Sequence, residues 1–186
     1  MRAFIAIDLD PTIKATLAEF IQRLKKINSR DVSWSGIEGL HVTLKFMGEI
    51  SEAKAGEAKR ALAGVTVQVR PFPLVLKGTG IFPSNSKFIR VLWAGVFEQP
   101  TLMNLHREVD FAMGKLGFLP ESQPFHPHLT LGRVRTAIHL HEILDELDRY
   151  KYSSFGQMTA AKVTLFESHL KPEGAEYRVI QEFPLT

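Results

Sequence analysis

The chain has 186 residues, 45% of them hydrophobic and 23% charged, with a formal net charge of +3, which suits one compact domain or two small lobes sharing a core. It contains no cysteine, which excludes a disulfide framework, a thiolate nucleophile and Cys-ligated zinc. No apolar run approaches the roughly 20 residues of a membrane helix, and Met1 to Asp10 turns acidic too soon for a signal peptide; a cytoplasmic protein is expected, its mild positive charge agreeing with an anionic substrate.

Arg2 to Asp8 reads as a buried strand through Phe4, Ile5, Ala6 and Ile7. Asp10 then N-caps a helix with Pro11 at its first position, and Ile13, Leu17, Phe20, Leu24 and Ile27 follow at helical spacing. Past the break at Asn28 to Asp31, a short strand near Val32 to Trp34 leads through Gly36 and Gly39 to a strand from Leu40 to Met47 that ends at Gly48. Ser51 caps an alanine-rich helix expected to run to about Leu62, with Gly64 stopping it. Val65 to Leu76 and Phe88 to Val96 read as strands separated by a loop from Gly78 to Ser86.

Pro100 opens a second long helix, with Leu102, Leu105, Val109, Met113 and Leu116 on one stripe and Gly117 at its end. The loop Leu119 to Pro124 leads into a strand from about His126 to Val134, and a helix with Leu140, Ile143, Leu144 and Leu147 inward follows. Met158 to Leu170 and Tyr177 to Phe183 are expected to close the fold as strands joined by a turn at Pro172-Glu173-Gly174. Each half thus runs long helix, motif strand, shorter helix, strand. Consecutive strands joined only by turns favour an α+β fold with antiparallel pairing over a doubly wound parallel sheet.

The motif strands carry the chemistry. His41-Val42-Thr43-Leu44 and His128-Leu129-Thr130-Leu131 both read His, apolar, Thr, apolar. Alternation puts His and Thr on one face of a strand and the apolar pair in the core. A lone histidine is more often structural than catalytic, but the same context at corresponding places in two half-chains reverses those odds. Two imidazoles that titrate near neutrality can serve as one proton donor and one acceptor, and the two threonine hydroxyls can bind the oxygens of an anion. That set suits metal-free cleavage of a phosphate ester, with base and acid on opposite sides of an in-line displacement.

Arg133 is a further anion-binding candidate because guanidinium matches phosphate. Strict alternation places it off the histidine face, and a twist or bulge is needed to turn it to the cleft. The same alternation puts Lys45 on the face of His41 and Thr43. His126 and His128 are not read as a metal pair, since carboxylates near the motif strands are missing apart from Glu49 and zinc sites take three or four ligands. His106, His139, His141 and His169 are assigned structural or surface roles. Among aromatics near the motifs (Phe46, Phe82, Trp93 and Phe125), the loop residues Phe82 and Phe125 are favoured as a platform for a nucleic-acid base.

The sequence resembles the two-histidine (2H) phosphoesterase superfamily, and within it the RNA 2′,3′-cyclic phosphodiesterase, or 2′–5′ RNA ligase-like (LigT/ThpR), branch. The resemblance spans the chain through Arg2-Ala3-Phe4-Ile5-Ala6, Leu40 to Gly48, Gly80-Ile81-Phe82-Pro83, Trp93-Ala94-Gly95-Val96 and Pro127 to Arg133, and ends with Ser168, Leu170, Pro172, Gly174 and Tyr177. It implies one bilobal α+β domain over residues 1–186, with two pseudo-symmetric halves, antiparallel sheets around a central cleft and helices outside. It also implies hydrolysis without metal or other cofactor to a 2′-phosphate, with His128 activating water and His41 acting as acid. The expected partner is RNA ending in a 2′,3′-cyclic phosphate, or a small cyclic nucleotide, bound by a monomer. ATP-independent 2′–5′ joining is the reverse reaction. Rival readings are another cyclic phosphate such as ADP-ribose 1″,2″-cyclic phosphate, or an RNA-end-binding module without turnover.

Overall fold

Thirteen strands and α-helices follow one another among the described residues: β1 (Arg2–Asp8), α1 (Pro11–Ile27), β2 (Val32–Trp34), β3 (His41–Glu49), α2 (Glu52–Thr66), β4 (Phe72–Phe82), β5 (Val91–Val96), α3 (Pro100–Lys115), β6 (His128–Val134), α4 (His141–Arg149), β7 (Ser154–Ala160), β8 (Lys162–Lys171) and β9 (Gly174–Pro184). The computed structural model describes residues 1–84, 88–171 and 174–186. The expected turn at Pro172-Glu173 and the end of the Gly78–Ser86 loop lie outside them.

The strands form two sheets, ordered β3-β1-β8-β9 and β2-β6-β5-β4-β7, and their pairings are antiparallel. This is the α+β arrangement expected from turn-linked strands. One motif strand lies in each sheet, β3 beside β1 and β6 beside β5. The apolar residues of each motif, Val42 and Leu44, Leu129 and Leu131, enter a single buried cluster. Helix α1 packs Leu17 and Leu24 into it, and α3 packs Leu105 and Val109. Truncating such a side chain to alanine costs about 2–5 kcal/mol, so the core holds both motif strands at fixed depth.

Helix α1 begins as its sequence dictates: the Asp10 carboxylate accepts from the Ile13 N–H at 2.9 Å, with Pro11 at the first turn. Helix α3 ends where expected, with Gly117 taking φ 89°, a conformation glycine adopts without strain.

The largest departures from the sequence reading are three, beyond shifts of up to three residues at the ends of β3, β5, β6 and β9. Helix α2 runs through Gly64 to Thr66, and β4 begins only at Phe72. Ala55, Ala58, Leu62 and Thr66 are its buried residues, at helical spacing; that packing outweighs the penalty of about 1 kcal/mol for a helical glycine and the β-branched residues Val65 and Thr66 of its last turn. Strand β4 also continues through Gly78 to Phe82, across residues expected to form loop. The segment Met158 to Leu170 is two strands, β7 and β8, which lie in different sheets. The chain crosses between sheets at Ala161, in a run that carries no turn signal.

Candidate active site

The two motif ladders carry the same irregularity at the same place. Across β1–β3, Ala6 pairs with Thr43 and Ile5 with Lys45, leaving Leu44 as an extra residue. Across β5–β6, Trp93 pairs with Thr130 and Leu92 with Gly132, leaving Leu131 as an extra residue. A one-residue bulge flips the alternation of everything beyond it. His41 and Thr43, and His128 and Thr130, therefore share their cleft faces as expected. The residues after them exchange faces, so Phe46 and Arg133 line the cleft while Lys45 turns inward.

Arg133 thus reaches the cleft by the bulge that simple alternation does not contain. Lys45 does the opposite of what alternation predicts. It is 2% exposed, and its Nζ donates to Asp110 Oδ1 at 2.5 Å and to the Leu119 carbonyl at 2.6 Å. It leaves the histidine face and ties β3 to α3 and to the chain that follows α3.

The cleft has a volume of about 610 Å³ and is lined by His41, Thr43, His128, Thr130 and Arg133 among others, a size that suits a nucleotide. His41 is packed by rings: Phe4 stacks on it at 4.7 Å between centroids and Tyr177 meets it edge-on at 5.2 Å. Burial pushes its imidazole down from 6.5 to about 4; Asp8 opposes this and Lys14 adds to it. Burial likewise lowers the His128 imidazole, with the His126 carbonyl opposing and the His126 and Arg133 side chains adding to the fall.

His128 Nδ1 lies 2.7 Å from the His126 carbonyl. A carbonyl only accepts, so Nδ1 carries the proton in the neutral ring and Nε2 keeps its lone pair. The Ser35 hydroxyl donates to the Thr130 carbonyl at 2.7 Å, which ties the end of β2 to the motif strand.

Sequence reasoning missed Phe4, Tyr177 and Asp8 as neighbours of His41. Asp8 sits opposite His41 on β1, a carboxylate far from the motif in sequence and near it only through strand pairing. Phe125 lies flat against His106, 3.8 Å between centroids and 3° between planes. Phe82 packs against Trp93 and meets His128 edge-on at 4.9 Å. Neither favoured aromatic is among the residues lining the cleft, whereas Phe46 is.

His126 pairs with Glu98 at 3.1 Å, and His139 faces Asp31 at 3.5 Å. Among the described residues, no three His, Asp or Glu side chains gather in a group able to hold a metal ion. No helix among them is long and apolar enough to cross a membrane.

The sequence pattern of the 2′-5′ RNA ligase superfamily matches residues 13–171. The chain belongs to that superfamily. An RNA 2′,3′-cyclic phosphodiesterase of Methanocaldococcus jannaschii is 35% identical to this superfamily member over 183 residues, covering 98% of this chain and 100% of that protein. A crystal structure from Thermus thermophilus superimposes with a TM-score of 0.83 at 26% identity, over 100% of this chain and 98% of that one. E. coli LigT, crystallised with 3′-AMP, superimposes with a TM-score of 0.76 at 25% identity, over 100% of this chain and 98% of LigT.

Proposed function

We propose that this protein is an RNA 2′,3′-cyclic phosphodiesterase that opens a terminal cyclic phosphate to the 2′-phosphomonoester without a metal. The observation that carries this reading is the meeting of both His-x-Thr faces in one cleft. The full-length relative from M. jannaschii, named for this activity, supports it.

In this mechanism the free Nε2 of His128 takes a proton from water as the water oxygen attacks phosphorus. The P–O3′ bond breaks in line with the attack, and His41 gives its proton to the departing ribose O3′. The hydroxyls of Thr43 and Thr130 donate to the non-bridging oxygens, and the Arg133 guanidinium pairs with the charge that builds there. His41 is neutral near pH 7 in the empty cleft because burial disfavours its cation. The substrate phosphate places a negative charge in the same cleft, which favours the imidazolium again. Substrate binding and protonation of the acid are therefore coupled.

The 2′–5′ joining is the same displacement with another nucleophile: a 5′-hydroxyl in place of water attacks the 2′,3′-cyclic phosphorus, the P–O3′ bond breaks, and a 2′–5′ linkage is left, with no nucleotide triphosphate required. All five side chains come from one chain, which supports a monomer acting as one bilobal unit over residues 1–186. The cytoplasmic location expected from the sequence belongs to the same reading, as does RNA rather than ADP-ribose cyclic phosphate as the substrate.

The test is product analysis in EDTA with 2′,3′-cyclic AMP and with a short RNA ending in a 2′,3′-cyclic phosphate. The 2′-phosphate is expected from both, and a rate about 10²–10⁴-fold lower from His41→Ala and from His128→Ala. Binding of either compound without turnover would replace the enzyme with an RNA-end-binding module.

A further inference from the structure

The cleft face of the first sheet is built in rows. Along β1, the row of Asp8 opposite His41 is followed by Ala6, with Thr43 on one side and Thr164 on the other, and then by Phe4, with Phe46 and Phe166 beside it. The Phe4 and Phe166 rings are nearly parallel at 5.2 Å between centroids, and the His41 ring stacks on both, at 4.7 Å and 5.9 Å. A side chain that starts in the Asp8 row and ends against the Phe4 row has crossed the row between them. The imidazole therefore lies over the Ala6 methyl and beside Thr164. Thr164 is 0% exposed, and its hydroxyl has no hydrogen-bond partner among the described residues. Leaving a buried hydroxyl unpaired costs stability, so packing of the core does not account for it.

The other half of the cleft is built differently at the same row. Thr130 stands opposite Trp93, and Trp93 opposite Gly80, where a Cβ would overlap the indole. The indole fills the space that Ala6 leaves open in the first sheet, and His128 takes its partner from its own strand, the His126 carbonyl. One imidazole is thus held by a peptide carbonyl, and the other lies beside an unpaired hydroxyl. The charged groups around His41 are Asp8 on β1 and Lys14 on α1, with Glu38 next to that ammonium. On β9, the Tyr177 hydroxyl lies under the influence of Arg2 and Arg133, and Glu182, opposite Thr164, pairs with Lys162.

We propose that Thr164 is the positioning residue of the general acid: when His41 takes up its proton, the Thr164 hydroxyl accepts from the ring N–H that faces away from the phosphate, and so holds the other N–H toward O3′. Bonds of this kind tighten only when substrate charges the site. A buried imidazolium needs an acceptor of this sort, because burial otherwise drives its proton off. The role rests on the phosphodiesterase reading, in which His41 is the acid. Thr164 lies more than 120 residues from His41 in the chain and reaches it only because Ala6, the residue between them, carries a single methyl.

The test is the pH profile of kcat/KM on 2′,3′-cyclic AMP for the wild type, Thr164→Val and Thr164→Ser. Valine keeps the shape and removes the hydroxyl. The His41 limb is expected to move down by about one pH unit in Thr164→Val, with a rate about tenfold lower at neutral pH, and Thr164→Ser is expected to restore both. Thermal unfolding of Thr164→Val is expected at or above the wild-type temperature, since an unpaired buried hydroxyl is gone; a loss of rate is then not a loss of fold. If Thr164 only fills the core, Thr164→Val leaves the limb where it was. Wild-type turnover with that unmoved limb, or a serine variant as impaired as the valine one, would overturn the role of Thr164 and leave the phosphodiesterase standing. A wild type that turns nothing over would remove both.

Discussion

Asp8 stands directly opposite His41 across the β1–β3 ladder, and Lys14 Nζ lies 2.8 Å from the Asp8 carboxylate. Glu38 flanks the same ammonium at 3.9 Å. The equivalent place opposite His128 is held by Gly95, so a carboxylate is set against one imidazole and not the other. Burial is the main cause of the low His41 basicity, with Asp8 and Lys14 acting in opposite directions upon it.

The pH dependence of kcat/KM follows from these positions. In the proposed mechanism His41 must hold a proton and His128 must not, and both imidazoles titrate below 6.5 in the free protein. A bell-shaped profile with both limbs on the acid side of 6.5 is expected, and kcat should show its upper limb displaced to higher pH because bound phosphate favours the His41 cation. Asp8→Asn should move the His41 limb down, and Lys14→Met should move it up. A single-limbed profile, or shifts of the same sign in both variants, would contradict this.

Stability should also depend on His41. The unfolded imidazole takes a proton near 6.5 and the folded one only near 4, so the unfolded state binds more protons between those values. Stability conferred by the neutral ring is complete above 6.5 and is lost as pH falls toward 4, by roughly 3 kcal/mol at most. His128 and His106, both lowered chiefly by burial, add loss of the same sign. Urea unfolding at pH 7 and pH 4.5 should show a smaller loss for His41→Phe than for the wild type; an equal loss would mean that His41 is not buried as described.

Lys45 should matter for stability rather than turnover. Its buried ammonium bonds Asp110 and the Leu119 carbonyl, and hydrogen bonds to a charged group contribute about 1.5–3 kcal/mol. Lys45→Met is expected to lose stability in that range while kcat per folded molecule stays near the wild-type value. Adding Asp110→Leu should restore part of the loss, because the unpaired carboxylate is then removed. A large fall in kcat with normal stability would put Lys45 back in the cleft chemistry.

Period-two alternation was enough to place His41, Thr43, His128 and Thr130 on cleft faces, and strand-and-turn order was enough for the α+β fold. Lys45, Phe46 and Arg133 were beyond its reach for one reason: Leu44 and Leu131 each occupy an extra position in a ladder, and a bulge at a leucine looks identical to regular strand in sequence. The passage from β7 to β8 was hidden similarly, since Ala160 and Ala161 carry no turn chemistry. Asp8 and Tyr177 became neighbours of His41 only through strand pairing, which single-strand patterns do not encode.

The most direct test of the division of labour replaces the leaving oxygen. In a 2′,3′-cyclic substrate whose 3′ oxygen is sulfur, the departing thiolate is stable without a proton, so the general acid is no longer needed. With EDTA present, His41→Ala is predicted to regain at least about a hundredfold of the rate it loses on the oxygen substrate, while His128→Ala stays as slow as before. Rescue of His128→Ala instead, or of neither variant, would contradict the assignment of His41 as acid and His128 as base.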